Sequence, residues 1–304
     1  MQNPLLNRLL TLAHKAQYDA ACKSLLSSKS ILAHILKATV KECEDLDIDY
    51  IRNCCIEKDI HVGIVPVHPY DNEFIQGLGQ ESNIYNEGIC YFDIHFSAVF
   101  PENKKIYFNL EAQNQNPSYP IEKRGAYYLG RMVSAQYGTE FSHSHYEMLK
   151  KAYSIWICFN PPKRKRNTIV RYEEKAEFLK GHYEISKDEY DMMCTVIINL
   201  GKEGEQGSEG ILRLMEVLFS NTRKIEEKIE IIKNEFHIGL NQEEREMIEE
   251  MCNLSDMIEE RGIIQARQED IRNLQIKLNI SIDEAMELLG IPINEQKNYI
   301  KVEK

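Results

Sequence analysis

Residues 91–113 have the clearest alternation of apolar and polar positions in the chain. They form two alternating runs joined by residues 101–105, Pro-Glu-Asn-Lys-Lys, which are typical of a turn. Because side chains alternate between the two faces of a strand, each run is predicted to be a strand with one buried face. The apolar residues occupy the even positions: Phe92, Ile94, Phe96, Ala98, Ile106, Phe108, Leu110 and Ala112.

The odd positions of this hairpin carry most of its polar groups. A turn centred near Glu102 or Asn103 pairs odd positions with odd positions, which sets Asp93 opposite Glu111 or Gln113. Two carboxylates held together repel each other unless a cation lies between them, and Mg²⁺ is a usual hard-cation guest of such a pair. An ordinary amphipathic hairpin with a solvated polar face accounts equally well for the alternation.

The flanking patterns alternate between helix and strand. Residues 1–42 are predicted to be helical, residues 43–90 are the least regular, and residues 119–137 form an amphipathic helix. The apolar run 153–159 is predicted to be a buried strand parallel to a hairpin strand, because a helix separates the two. Further strands are expected at 168–178 and 192–200. This order predicts an α/β core with a mixed sheet.

The pattern changes at residues 201–210, which are rich in glycine and glutamate. Beyond them, helices are predicted at 211–219, 225–236 and 241–278, the last with a break at Gly262, and Ser281 opens a short helix with a capping box. We therefore predict a core domain at 1–200 and an all-helical C-terminal extension at 208–304. The extension is expected to act in dimerisation or docking.

The carboxylate pattern resembles a known family. Asp93, followed by Glu111-Ala112-Gln113 at the end of the next strand, is similar to the core of PD-(D/E)XK nucleases. The closer likeness is to the PD-(D/E)XK family transposases, also called recombination-promoting nucleases, and covers most of residues 19–260. The segments that carry it are 27–33, 86–88, 91–94, 109–113, 124–128, 154–158 and 251–256.

The resemblance implies a restriction-endonuclease-like core and a Mg²⁺- or Mn²⁺-dependent DNA endonuclease, linked to recombination or mobile elements. It implies that Asp93 and Glu111 bind the metal with the backbone carbonyl of Ala112. A bound metal lowers the pKa of its water and neutralises charge on the scissile phosphate. Gln113 takes the third catalytic position, where the family usually has lysine. Glutamine orients water but supplies no charge, so slow turnover is expected.

Several other residues are candidates for this site. Lys123 or Arg124 is expected to substitute for the usual lysine. The resemblance makes Asp19 and Glu87 additional site residues, although Cys22 stands where the family usually has phenylalanine. Alternatively, Asp19 forms a solvated i,i+4 pair with the next lysine on its helix, and Glu87 belongs to a turn.

Basic residues suggest where DNA would bind. Arg124, Tyr128 and Arg131 share one face of the 119–137 helix, where arginine suits phosphate contact and tyrosine suits stacking. A helix edge paired with nearby acids is the alternative. The run 163–166, Lys-Arg-Lys-Arg, suits either a DNA backbone or a solvated loop.

Composition limits the class of protein. The chain is 43% hydrophobic and 28% charged, with no run near the ~20 apolar residues of a membrane span and no signal-peptide pattern. Its cysteines lie mostly in apolar runs, which favours reduced thiols and a cytoplasmic location.

The net charge of −11 argues against a broad DNA-binding surface, but the acidity is uneven. Residues 1–200 hold 23 Lys and Arg against 25 Asp and Glu, whereas residues 201–304 hold 14 against 23. The core therefore retains enough basic residues for a local DNA-binding face. The alternative function is a catalytically inactive DNA-binding or protein-interaction module on the same fold. The acidic tail, Gln113 and the missing phenylalanine near Asp19 favour it.

Overall fold

The computed structural model describes residues 4–67, 90–114, 116–292 and 296. The strands are β1 (His61–Val67), β2 (Cys90–Phe100), β3 (Lys104–Gln113), β4 (Lys151–Cys158), β5 (Thr168–Tyr172) and β6 (Met193–Asn199). The helices are α1 (Pro4–Leu26), α2 (Lys29–Thr39), α3 (Ile48–Tyr50), α4 (Ile121–Ser134), α5 (Ile211–Phe219), α6 (Ile225–Phe236), α7 (Gln242–Leu278) and α8 (Ile282–Leu288). The described elements after residue 210 are all helices, as predicted.

The six strands form one mixed sheet in the order β1-β2-β3-β4-β6-β5. Strand β2 is antiparallel to β1 and β3, whereas β3 and β4, and β4 and β6, run parallel. Parallel neighbours need a crossover, and α4 lies within the connection from β3 to β4. Every residue of β4 is buried, as expected for a central strand covered on both faces. The α/β class and the mixed sheet are therefore confirmed.

The β2–β3 hairpin has the predicted parity. His95 pairs with Asn109 and Ser97 with Tyr107, so odd positions meet odd positions. The polar face of β3 is not solvated: Tyr107, Asn109 and Glu111 are buried, and Tyr107 shares a core cluster with Tyr128, Leu129 and Met132 of α4. The alternative, an amphipathic hairpin with a solvated polar face, is therefore wrong for β3.

Three elements differ from the sequence prediction. Strand β1 was not predicted; it contains Pro66, which a sheet tolerates at an edge because an edge strand need not donate every N–H. Strand β5 ends at Tyr172, short of the predicted residue 178. Helix α7 continues through Gly262 without the expected break, since a single glycine costs a helix only about 1 kcal/mol relative to alanine.

The chain forms two compact units: residues 1–22 with 245–304, and residues 23–244. The larger unit holds the sheet together with α5 and α6. In the smaller unit, α7 and α8 bury a core of Ile271, Ala285, Met286 and Ile291, and Ser281 forms the predicted capping box with Glu284. The domain boundaries at 200 and 208 stay a prediction. None of the helices in the described part of the chain has the length and apolar character needed to span a bilayer.

Candidate functional site

Asp93 and Glu111 lie side by side at one end of the hairpin. The backbone pairing of β2 with β3 ends at Ile94 and Leu110 in the described residues. One residue further along each strand, the carboxylates of Asp93 and Glu111 accept hydrogen bonds from backbone N–H groups. The N–H of Asp93 donates to Glu111 Oε1 at 3.0 Å, and the N–H of Ala112 donates to Asp93 Oδ2 at 3.0 Å. Each carboxylate therefore binds the backbone of the opposite strand, which fixes both side chains in one place.

The electrostatics of this pair favour a proton or a cation at Glu111. Its side chain is almost fully buried, and this burial raises the pKa of the carboxyl to about 8, with repulsion from Asp93 adding to the shift. The hydrogen bond from the Asp93 N–H and the positive charges of Arg124 and Lys23 act in the opposite direction. Glu111 is thus a buried acid that is costly to ionise without a partner.

Lys23, on α1, contacts the carboxylate pair, a position that its sequence pattern did not predict. Its Nζ lies 2.9 Å from Asp93 Oδ1, and its side chain is 17% exposed. The sequence suggested only a solvated pair with Asp19 on the same helix. No local pattern identifies the contact with Asp93, because it joins residues 70 positions apart in the chain.

Arg124 reaches the site from the N-terminal part of α4. Its Nη2 lies 3.8 Å from Glu111 Oε2, and its Nη1 donates to Gln113 Oε1 at 3.5 Å. The guanidinium also donates to the Tyr128 hydroxyl from Nε at 3.1 Å and from Nη2 at 2.6 Å, and its Cζ lies 5.0 Å from the Trp156 ring centroid. Arg124 is therefore held in place beside Glu111 and Gln113. This position is compatible with the expectation that Arg124 substitutes for the lysine usual at position 113.

Gly125 explains how α4 comes close enough to place Arg124. A Cβ at this position would lie 2.7 Å from Thr195 Cγ2, which is too short for a Cβ contact, and 3.2 Å from Trp156 Nε1, which is tight. Only glycine lets the helix backbone approach the sheet this closely. The position of Arg124 over Trp156 depends on that approach.

A buried chain of hydrogen bonds supports Glu111 from β4. Trp156 Nε1 donates to Ser154 Oγ at 2.8 Å, Ser154 Oγ donates to Asn109 Oδ1 at 2.7 Å, and Asn109 Nδ2 donates to Glu111 Oε1 at 2.9 Å. Asn109 and Ser154 are fully buried. We call these three donors, Trp156, Ser154 and Asn109, the relay. The sequence placed Asn109 and Ser154 in motifs but assigned them no role.

The predicted DNA-contact face of α4 needs a correction. Tyr128 and Arg131 are buried, with exposed fractions of 6% and 5%, because their side of the helix packs onto the sheet. They are therefore not available at the surface, and of the three predicted residues only Arg124 borders the carboxylates. In the run 163–166, Lys165 pairs with Glu122 at 3.1 Å and Arg166 with Glu205 at 2.7 Å.

The other candidates are Asp19, Glu87 and Ala112. Asp19 is exposed and belongs to the smaller unit, and its role at the site stays a prediction. Glu87 lies outside the described residues. Ala112 takes part through its N–H, which binds Asp93. A role for its carbonyl stays a prediction.

The donor set can be tested against the implied metal. Two carboxylates and a backbone carbonyl are hard oxygen ligands, and Mg²⁺ is commonly bound through only one or two carboxylates together with substrate phosphates. Across the ranges that the structure describes, no cluster of three or more His, Cys, Asp or Glu side chains could hold a metal ion. The pair fits a magnesium site of the kind completed by substrate rather than a closed protein cage. The chain matches no protein-family model, no curated protein and no solved structure.

Proposed function

We propose that this protein is a Mg²⁺- or Mn²⁺-dependent DNA endonuclease on a restriction-endonuclease-like core. The observation that carries the proposal is the placement of Asp93 and Glu111, which are fixed side by side by reciprocal hydrogen bonds to the opposite strand. Burial raises the pKa of Glu111 and repulsion from Asp93 adds to the shift, as expected where two carboxylates share a partly dry site that suits a cation. The mixed sheet and the resemblance of residues 91–113 to PD-(D/E)XK nucleases support the same reading.

In this proposal Asp93 and Glu111 hold the metal, with the Ala112 carbonyl as a further ligand. When bound, the metal supplies an activated water and offsets charge on the scissile phosphate. Arg124 is in position to donate to a phosphate oxygen beside Glu111, because Tyr128 and Trp156 fix its guanidinium. Gln113 orients the attacking water through its carboxamide. Lys23 and Arg124 together provide the positive charge that Gln113 lacks.

A second candidate function has its own supporting observation. The carboxylates already have partners within the protein: Asp93 binds Lys23 and the Ala112 N–H, and Glu111 binds the Asp93 N–H and Asn109. Such a satisfied cluster is also what a catalytically inactive DNA-binding or protein-interaction module would retain for structure alone. The two functions differ in whether a divalent cation displaces these internal partners.

Metal titration separates the two candidates. Isothermal titration calorimetry with Mn²⁺ and Mg²⁺ should show binding by the wild type and none by Asp93→Asn. Ca²⁺ should support DNA binding without turnover. Glu140→Gln is the matched control, because Glu140 is also a mostly buried acid contacted from β3, but it binds Lys105 and Tyr107 near the start of that strand. Equal affinity for Mn²⁺ in the wild type and Asp93→Asn would favour the inactive module.

A further inference from the structure

We infer that Trp156, Ser154 and Asn109 are positioning residues. They determine which carboxylate oxygen of Glu111 is available to a bound cation. The inference rests on the proposed function and deepens it. It assigns Oε1 of Glu111 to the protein and Oε2 to a hard divalent cation.

The direction of the relay is fixed by its first member. An indole N–H donates and cannot accept, so Ser154 Oγ receives the bond from Trp156. The hydroxyl proton of Ser154 then points to Asn109 Oδ1. This sets the orientation of the Asn109 amide, whose Nδ2 is left to donate to Glu111. Donation therefore runs one way, from Trp156 to Glu111.

The backbone register explains why these side chains meet. Strands β3 and β4 are parallel, with Asn109 opposite Ser154 and Glu111 opposite Trp156. All four side chains lie on the α4 face of the sheet and are buried. The relay thus consists of two adjacent cross-strand pairs beneath α4.

The small net stabilisation that buried hydrogen bonds provide indicates that the relay has a role beyond packing. A typical buried hydrogen bond adds only a small amount of net stability, and replacing both partners by apolar side chains of the same shape can be nearly neutral. Positions 109 and 154 sit in the middle of the sheet, where aliphatic residues would fill the same space. What polar side chains add here is control of the Glu111 carboxylate.

The two oxygens of Glu111 consequently differ. Oε1 accepts from the Asp93 N–H at 3.0 Å and from Asn109 Nδ2 at 2.9 Å. Oε2 lies 3.8 Å from Arg124 Nη2, beyond a normal hydrogen bond. Oε1 is thus committed to the protein, whereas Oε2 faces the charged side of the site. A bound cation that supplied the positive charge now supplied by Arg124 would therefore contact Oε2.

The test measures Mn²⁺ affinity by calorimetry and DNA nicking on the full chain. Asn109→Leu keeps a similar volume and removes the donor, so Mn²⁺ affinity and kcat should each fall about 10- to 100-fold, while KM for DNA stays nearly constant. Ser154→Ala removes a single oxygen and should act in the same direction. It also serves as the second variant if Asn109→Leu does not fold. Cys158→Ala is the control, because Cys158 is buried in the same core but outside the relay.

A double mutant distinguishes a relay from general damage to the core. If Ser154 acts through Asn109, then Asn109→Leu with Ser154→Ala should lose no more Mn²⁺ affinity than Asn109→Leu alone. Unchanged Mn²⁺ affinity in both single variants, or an equal loss in Cys158→Ala, overturns the relay and leaves the proposed function standing. No Mn²⁺ binding by the wild type overturns both.

Discussion

Replacing Glu111 with glutamine should stabilise the fold at neutral and alkaline pH in the absence of metal. Glutamine resembles the protonated acid: its carbonyl oxygen can accept from the Asp93 N–H and from Asn109 as Oε1 now does. It carries no charge to bury beside Asp93. The substitution therefore removes the unfavourable ionisation of Glu111 and keeps its hydrogen bonds.

The sign and size of this effect follow from the pKa of Glu111. The pKa rises from 4.5 to about 8 on folding, so below pH 4.5 both states hold the proton and the variant gains nothing. Between these values the unfolded chain releases its proton first, and wild-type stability falls as pH rises. Above pH 8 the difference levels off, and the full shift corresponds to a limit of about 5 kcal/mol, at about 1.4 kcal/mol per pKa unit.

The assay is urea unfolding at several pH values in the presence of a chelator. The free energy of unfolding of Glu111→Gln minus that of the wild type should grow between pH 5 and 8. Glu122→Gln is a control of opposite sign, because its own backbone N–H and Lys165 lower the pKa of Glu122. That variant should be less stable than the wild type above pH 4.5, and the difference should vanish as pH falls through the lowered pKa. A difference for Glu111→Gln that stays flat between pH 5 and 8 would refute the reasoning, since Glu111 would then ionise normally in the fold.

Three further predictions concern the surroundings of the carboxylates. Gln113→Lys should retain or raise nicking activity in a plasmid assay, because it adds positive charge at the third catalytic position; complete loss would contradict that role. Arg124→Ala should weaken DNA binding and flatten its salt dependence by roughly one unit of slope in a fluorescence titration, and an unchanged slope would remove Arg124 from phosphate contact. Gly125→Ala should destabilise the fold by about 1–3 kcal/mol in thermal unfolding, because its Cβ would meet Thr195 at 2.7 Å. Gly130→Ala, where a Cβ meets nothing within 4 Å, should instead gain up to about 1 kcal/mol; equal effects of the two would contradict the close helix approach.

The hairpin and the central strands were predictable because their signals are local. Alternation over residues 91–113 predicted which side chains share a face, and the turn position predicted Glu111 or Gln113 as the partner of Asp93. The structure places Glu111 there. The apolar run that became β4 had no polar face and was therefore expected to be buried. For these elements, the period of the pattern and the turn residues were sufficient.

The rest of the site depends on packing between distant elements. Lys23 pairs with Asp93 through tertiary contact, and a helical pattern alone places such a lysine in solvent. Helical spacing put Tyr128 and Arg131 on one face but did not say that this face packs onto the sheet. The link from Asn109 to Ser154 required the register between parallel strands, which no local pattern encodes. These residues were missed or misplaced for the same reason.

The central claim is that Asp93 and Glu111 form a metal-dependent nuclease centre. Nicking of supercoiled plasmid in Mg²⁺ or Mn²⁺ tests it most directly, with the wild type, Asp93→Ala and Glu111→Ala purified in parallel. The account predicts slow nicking by the wild type and none by either variant, while circular dichroism shows all three folded. Equal residual cutting by the three proteins would indicate a contaminating nuclease and contradict the account.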